Sequence, residues 1–451
     1  MNSSKTSGRA GDLIKGGLGR RDFLKTAALA GAAIGMPHLI RPASAADTLT
    51  MQTWSAAVDV VKSHLSAFDK KTGIRVDYGN VPWAQYRETM VTKFAGGAPL
   101  DMLWVSDAWL PEWAEAGWIA PIEGFDFLTK YNTDVVQFCT DSMTYKGHQY
   151  GLTYYTDYMG FLYDSEKLAA AGFNAPPTSW DEVVTQSLAM KQKGISEFPM
   201  MLSMAQESWL IEFMSAIVFS HNGRFTDADG KAIMQHPKDG AVAALQWIVD
   251  AVRKHKIVSP ACVETGELAG LKALSAGNHA FALLPKYRLR VLNDPAQSKT
   301  AGKIKQAMMP MGPNGSHATV GWMRFHGMTA QTAKTKARAE QTARLIEWFG
   351  GKADGQYTFQ KLLFLDAGAD FGVKPLYQDA EVQAAYTKFA DFNIIQQQQT
   401  LARKKDVIAP WFGEWNETNG AAWQAAVLGN VTPEAALDQS AKSWTKLKSR
   451  A

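Results

Sequence analysis

Residues 48–117 alternate between short apolar strands and amphipathic helices, and this alternation restricts the fold more than any other feature of the chain. "LTMQTW" predicts a strand, and the residues after it place four apolar side chains on one helix face that ends at Gly73: Val60, Val61, Leu65 and Phe68. "IRVDY" predicts a second strand, followed by a helix over 83–94. "DMLWV" predicts a buried third strand before the helix "LPEWAEAG". This βα rhythm favours a parallel sheet covered by helices on both faces.

The same rhythm starts again in the middle of the chain. "MGFLY" predicts a strand, and Ser179 and Glu182 in "SWDEVV" have the spacing of a helix-capping box. Near the end, Thr432 and Pro433 predict the start of a last helix. About 405 residues follow position 45, more than one hydrophobic core normally serves. We therefore expect two α/β lobes.

The N-terminus has the order of features found in an export signal. In "GRRDFLKTAAL", Arg20 and Arg21 resemble a twin-arginine motif, a short apolar run follows over 27–36, and "ASA" at 43–45 offers a cleavage site. The alternative is an amphipathic first helix, but glycines and Pro37 interrupt the run, which is shorter than the roughly 20 residues of a membrane span. We predict a twin-arginine signal peptide over 1–45 and no lipid anchor.

The net charge bears on the possible partners of the chain, and the cysteine count bears on its possible disulfides. Residues 1–45 hold seven of the 47 Lys and Arg residues and two of the 43 Asp and Glu residues, so the remaining chain has a net charge of −1. A nucleic-acid partner is therefore not expected. The two cysteines, Cys139 and Cys262, allow either one disulfide or two buried thiols.

Four segments together resemble the extracellular solute-binding proteins of carbohydrate ABC importers, the group that includes the maltose-binding type. They are "FAGGAPLDMLWVSDAWLPEWAEAGWIAPIE", "YKGHQYGLTYYTDYMGFLYDSEKLAAAGFNAPPTSWDEV", "LSAGNHAFALLPKYRL" and "GNVTPEAAL". The resemblance implies an α/β periplasmic binding protein with two lobes, a ligand cleft between them and crossing hinge strands. It places crossings near 153–156, 321–326 and 370–374. Lobe 1 would then comprise 46–155 and 326–370, and lobe 2 would comprise 156–321 and 375–451.

Aromatic and polar residues where strands run into loops are the candidate ligand contacts. Ligands of open α/β sheets bind outside the carboxyl ends of the strands, and sugar rings stack on aromatic faces while their hydroxyls need fixed polar partners. From these positions and from the family resemblance we predict a binding site of Trp54, Ser55, Ser106, Asp107, Trp109, Tyr154, Tyr155, Asp157, Glu207, Trp209, Lys286, Tyr287, Trp322, Trp415 and Asn416.

The predicted function is capture of a sugar or related polyol in the periplasm and its delivery to an ABC permease. The expected partners are the carbohydrate, the permease subunits and the twin-arginine export machinery, and we expect a monomer without a cofactor or metal. A binding protein for a polyamine or an amino acid is the alternative, favoured if carboxylates outnumber aromatic rings in the cleft. A periplasmic glycoside hydrolase that uses Asp107 and Glu207 is a further alternative, because glycosidases work with two carboxyl groups.

Overall fold

The computed structural model describes residues 48–450, so the predicted signal peptide lies outside the described residues. The strands are β1 (Thr48–Trp54), β2 (Arg75–Val81), β3 (Met102–Ser106), β4 (Ile119–Ala120), β5 (Thr144–Tyr145), β6 (His148–Gln149), β7 (Gly151–Asp164), β8 (Met200–Met201), β9 (Phe281–Pro285), β10 (Ile304–Ala307), β11 (Thr319–Thr329) and β12 (Ala402–Arg403).

Helices account for most of the remaining chain in the described part. They are α1 (Val58–Thr72), α2 (Trp83–Ala95), α3 (Leu110–Glu115), α4 (Phe127–Asp134), α5 (Gln137–Met143), α6 (Ser165–Ala170), α7 (Trp180–Gln192), α8 (Leu210–Ser220), α9 (Ala241–Arg253), α10 (Glu267–Ser275), α11 (Arg288–Leu292), α12 (Ala330–Ala333), α13 (Lys336–Gly350), α14 (Thr358–Ala367), α15 (Ala380–Thr387), α16 (Phe392–Thr400), α17 (Phe412–Val427) and α18 (Pro433–Lys448). Not one helix between residues 48 and 450 combines the length and the apolar character of a bilayer span.

The first three strands confirm the predicted parallel pairing. β1 lies between β2 and β3 and is parallel to both, with α1 and α2 as the connections. Beyond β3 the sheet continues through β11, β7, β9 and β8, and the pairings of β11 with β3, of β7 with β11 and of β9 with β7 are antiparallel. The sequence predicted the parallel part only, because the antiparallel strands pair with partners distant in the chain.

Two long strands connect the two halves of the sheet. The first part of β7, from Gly151 to Tyr158, pairs with β11, and its remaining residues pair with β9 and β10. β11 is buried along its whole length, and its register with β7 shifts between Arg324 and Phe325. Such an irregularity redirects side chains, and it lies next to the candidate site. Two of the three crossings expected from the sequence fall in these strands, while the lobe boundaries stay predictions.

Local capping explains where several helices begin and end. Gly73 ends α1 with a φ of 71°, in the left-handed region that favours glycine. At the start of α7, the Ser179 hydroxyl accepts the Glu182 N–H at 3.2 Å, as the capping box predicts. The Glu182 carboxylate, however, accepts the N–H and hydroxyl of Thr178, which lowers the pKa of Glu182. Thr432 caps α18 through the Ala435 N–H, as predicted.

Buried side chains form two hydrophobic clusters. One contains Trp104 and Trp113, and the other contains Trp180 and Trp423. Cys139 belongs to the first cluster and Cys262 to the second, and both are buried free thiols. Of the two alternatives left open by the sequence, the structure thus shows the unpaired cysteines.

Candidate functional site

Two adjoining cavities lie beside the carboxyl ends of β1 and β9 and the middle of β7 and β11. We call them the inner cavity, of about 430 Å³, and the outer cavity, of about 790 Å³. Trp83, Trp209 and Arg324 line both cavities, so the two spaces share a boundary. Their position agrees with the general location of ligands in open α/β sheets.

Aromatic side chains make up much of the inner cavity wall. The six aromatic residues that line it are Trp54, Trp83, Tyr154, Tyr155, Trp209 and Tyr287. Trp54 stacks on Tyr155 with ring centroids 6.0 Å apart, and Trp83 meets Trp54 edge to face at 6.2 Å. Trp83 is 39% exposed, although it also packs against the buried Trp104. A large aromatic ring that remains open to a cavity offers a face on which a flat ligand surface can stack.

Asp157 also lines the inner cavity and is fully buried on β7. Its carboxylate accepts the N–H groups of Tyr158 at 2.8 Å and Tyr287 at 3.0 Å. Burial raises the pKa of Asp157 to about 7, against the opposing effect of the Lys286 ammonium 4.0 Å away. Asp157 thereby fixes the position of Tyr287, which follows β9 and lines the inner cavity.

Lys286 is 2% exposed and holds the chain segment after α14 against β9. Its ammonium forms an ion pair with Asp370 and lies 3.3 Å from the Tyr386 hydroxyl, which itself donates to Asp370. Asp370 lines the inner cavity, whereas Lys286 lies behind it. Lys286 therefore positions the wall of the cavity and is not one of its lining residues.

A second ion pair closes another side of the inner cavity. Arg288 donates two hydrogen bonds to Glu267, at 2.7 and 2.8 Å, and its guanidinium lies 4.6 Å from the Tyr287 ring centroid. The Glu207 carboxylate accepts the N–H of Glu267 at 2.6 Å, at the start of α10. Two carboxylates are therefore occupied with fixing this wall in place.

Buried charges also connect the inner cavity to the outer one. Asp107 is 1% exposed and accepts a hydrogen bond from Arg324 at 2.7 Å. Lys405, also 1% exposed, lies 3.7 Å from Asp107 and donates to Glu212 at 3.0 Å. The Arg324 guanidinium lies 5.7 Å from the Trp83 ring centroid, within cation–π range. This network orients Arg324 at the boundary between the cavities.

The structure brings ten of the fifteen predicted site residues to the two cavities. The inner cavity takes Trp54, Tyr154, Tyr155, Asp157, Trp209 and Tyr287, and the outer cavity takes Ser106, Trp109, Glu207 and Asn416, together with Trp209. The other five, which line neither cavity, are Ser55, Asp107, Lys286, Trp322 and Trp415.

Helix and strand geometry explains the positions of the two tryptophans among those five. Trp415 faces the second hydrophobic cluster from α17 and donates its indole N–H to the Ser440 carbonyl at 2.9 Å, while the next residue, Asn416, reaches the outer cavity. Trp322 is fully buried on β11 and supports Trp209 edge to face at 5.2 Å. Both rings are core residues, the usual environment of tryptophan.

Sequence reasoning missed Trp83, Glu267, Arg288 and Asp370 as site residues. Trp83 follows the end of β2 by two residues, so it fits the rule that ligand contacts lie near strand ends. It was not selected because it is also the first residue of a predicted helix. Glu267 and Arg288 carry no comparable signal, because their pairing depends on the fold. Among residues 48–450, there is no group of three or more His, Cys, Asp or Glu side chains arranged to hold a metal ion.

The carboxylate pair considered for hydrolysis does not share a cavity. Asp107 is buried by Arg324 and Lys405 and lines neither the inner nor the outer cavity. Glu207 lines the outer cavity and caps the start of α10. Paired carboxyl groups must flank the same glycosidic bond, so the arrangement of these two residues does not support the glycosidase alternative.

Comparisons with known proteins all point to solute-binding proteins. The family model for bacterial extracellular solute-binding proteins matches residues 46–356. A probable ABC transporter-binding protein of Deinococcus radiodurans is 25% identical over 315 residues, covering 68% of this chain and 71% of that protein. Maltose-bound T. maritima MalE3 has a TM-score of 0.73 at 22% identity, with coverage of 89% and 99%. An Agrobacterium radiobacter K84 solute-binding protein in complex with ribitol has a TM-score of 0.71 at 18% identity, with coverage of 89% and 98%.

Proposed function

We propose that this chain, which belongs to the family of bacterial extracellular solute-binding proteins, captures a sugar or related polyol for an ABC importer. The observation that carries the proposal is the inner cavity, in which six aromatic side chains surround a space of about 430 Å³. The C–H faces of a sugar stack on such rings, while Asp157, Glu267 and Arg288 offer fixed polar groups at the edges.

The balance of charge in the inner cavity favours a neutral sugar ring in that cavity over a polyamine or an amino acid. Its three carboxylates belong to Asp157, Glu267 and Asp370, half the number of its aromatic rings. Each of these carboxylates has a buried or half-buried cation nearby, either Lys286 or Arg288. Proteins of the same fold bound to maltose and to ribitol agree with this ligand class.

We further propose that the protein works in the periplasm as a monomer that delivers its ligand to the permease subunits of the importer. The family's description as extracellular supports a location outside the cytoplasm, and the twin-arginine pattern at Arg20 and Arg21 supports the periplasm. In this proposal, the lobe boundaries are those expected from the sequence, and the lobes rotate about β7 and β11 when the ligand binds.

Replacing Trp83 by alanine tests the site. The variant should bind its sugar or polyol about tenfold more weakly, because a stacking face common to both cavities is lost. The melting temperature of the empty protein should fall by only a few degrees, since Trp83 is 39% exposed. A thermal-shift screen of sugars, polyols, amino acids and polyamines identifies the ligand, and calorimetry measures its affinity.

Leu188→Ala is the matched control, because Leu188 is 40% exposed and lines neither cavity. This variant should keep the wild-type affinity. Unchanged affinity in Trp83→Ala would reject the inner cavity as the site. Binding of amino acids or polyamines alone would reject the ligand class.

Export is tested by replacing Arg20 and Arg21 together with lysine. The precursor should accumulate in the cytoplasm, because the twin-arginine route requires the arginine pair and not positive charge alone. Cell fractionation with N-terminal sequencing measures the result, and Arg9→Lys combined with Arg41→Lys serves as a control that should be exported and cleaved near Ala46. Normal export of the Arg20 and Arg21 variant would contradict the assignment.

A further inference from the structure

The outer cavity is large enough to hold a second part of the ligand. Its volume of about 790 Å³ exceeds that of the inner cavity, and the two meet at Trp83, Trp209 and Arg324. A ring stacked in the inner cavity can therefore carry a substituent or a second ring into the outer one.

The outer cavity differs from the inner one in its charge. Five carboxylates line it, on Glu112, Glu207, Glu212, Glu414 and Glu417, against the two guanidinium groups of Arg87 and Arg324. Both guanidinium groups are already engaged: Arg87 donates two hydrogen bonds to Glu112, at 2.5 and 2.6 Å, and Arg324 pairs with Asp107. Two other lining carboxylates have a cation as well, because Lys405 pairs with Glu212 and the exposed Arg450 lies 3.7 Å from Glu414. Among the described residues, Glu207 and Glu417 are the lining carboxylates that remain without an ion pair. The lining groups therefore leave a negative potential in the outer cavity.

The hydrogen bonding of Glu212 supplies a second observation, separate from the number of charges. It is only 7% exposed, and Lys405 donates to its Oε1 at 3.0 Å. Its Oε2 is buried and has no hydrogen-bond partner among the described residues. A buried carboxylate oxygen without a donor is costly, and a donor brought by a ligand relieves that cost.

From the cavity size, the charge and Glu212 we infer that the ligand is a saccharide carrying a protonated amino group, with a neutral ring in the inner cavity and the amine in the outer cavity. This inference rests on the proposed function, because it requires a sugar in the inner cavity. An ammonium group provides three N–H donors and a positive charge, which match the surplus carboxylates. Phosphorylated or acidic sugars should be disfavoured for the same reason.

The experiment compares matched sugars that differ in one group. Calorimetry at about pH 6, where a sugar amine is protonated, measures the affinity for the gluco, galacto and manno hexoses and their β-1,4-linked disaccharides. Each is paired with its 2-amino and 2-acetamido counterparts, and spermidine is included as an amine without a ring. For the sugar that binds best, we expect the amino form to bind about tenfold more tightly than the neutral and acetamido forms. The preference should shrink as salt is added.

A double variant, Glu414→Gln with Glu417→Gln, tests whether the preference originates in the outer cavity. Both residues are exposed, so the variant should fold, and the ratio of amine to neutral affinity should fall to about threefold or less. Glu340→Gln with Glu434→Gln removes the same charge at exposed positions that line neither cavity. This control should keep the ratio of the wild type.

The outcomes separate this inference from the proposed function. Equal or tighter binding of the neutral forms would overturn the inference and leave the proposed function standing. Spermidine binding as tight as that of the amino sugar would overturn the need for a ring in the inner cavity. If no sugar in the panel is bound in any form, the inference and the proposed carbohydrate ligand both fail.

Discussion

Replacing Lys286 by methionine is expected to lower the free energy of unfolding by about 3 to 5 kcal/mol. Lys286 is 2% exposed and is the ammonium group between two buried carboxylates, those of Asp157 and Asp370. Methionine keeps most of the volume of the side chain but leaves these carboxylates without their cation. Most of the lost stability therefore comes from two buried carboxylates that repel each other and have lost their counter-ion. The loss of packing contributes only a small part.

Urea denaturation at pH 7 measures this change as a shift in the midpoint at constant m-value. Lys305→Met is the matched control, because Lys305 is the exposed residue of β10, the strand that pairs with the end of β7. The control should remain within about 0.5 kcal/mol of the wild type. A loss of less than about 1 kcal/mol in Lys286→Met would contradict this expectation. It would show that the ion pair of Lys286 with Asp370 contributes little to holding β9 against the segment at Asp370.

The sequence predicted the elements whose signal is local. The strand and helix starts from β1 to α3 follow from apolar spacing, Gly73 and the strand β3, and their parallel pairing follows from the βα order. The length of β7 was not predicted, because its fourteen residues pair with different partners along its two halves. Only the folded sheet determines those partners.

In the candidate site as well, the sequence predicted the residues near strand ends but not the direction in which each side chain points. Trp54, Tyr155 and Tyr287 follow from the rule that ligand contacts lie near strand ends, and all three line the inner cavity. Lys286 satisfies the same rule but lies behind the cavity, because its side chain turns toward Asp370. The direction of a side chain depends on partners far away in the chain, and sequence spacing carries no information on them.

Buried ionisable groups act on the pH dependence of stability in opposite directions. Burial raises the pKa of Asp157 from an unfolded value near 3.9 to about 7, so the stability it contributes is present below about pH 4 and is lost as the pH rises through 7. Burial lowers the pKa of His326 to about 3, with a smaller effect from His64. The contribution of His326 is therefore present above about pH 6.5 and is lost as the pH falls toward 3.

Replacing His326 by leucine should remove much of the acid sensitivity of the protein. His326 is fully buried on β11 against Tyr154, Phe349 and Phe359, and neither of its ring nitrogens has a hydrogen-bond partner among the described residues. In the unfolded chain this ring takes up a proton below about pH 6.5, whereas in the folded protein it does not until about pH 3. The stability that His326 alone supplies at pH 7 should therefore decrease by about 3 kcal/mol at pH 4.

The measurement is the difference in unfolding free energy between the wild type and His326→Leu at pH 7 and at pH 4, because the contribution of Asp157 cancels in that difference. Relative to the wild type, the variant should gain about 3 kcal/mol between the two pH values. His236→Leu, at an exposed position, should follow the wild-type pH dependence. Parallel pH profiles for the wild type and His326→Leu would mean that the His326 ring takes up a proton as readily in the folded protein as in the unfolded chain. Burial among three aromatic side chains would then not exclude the charge.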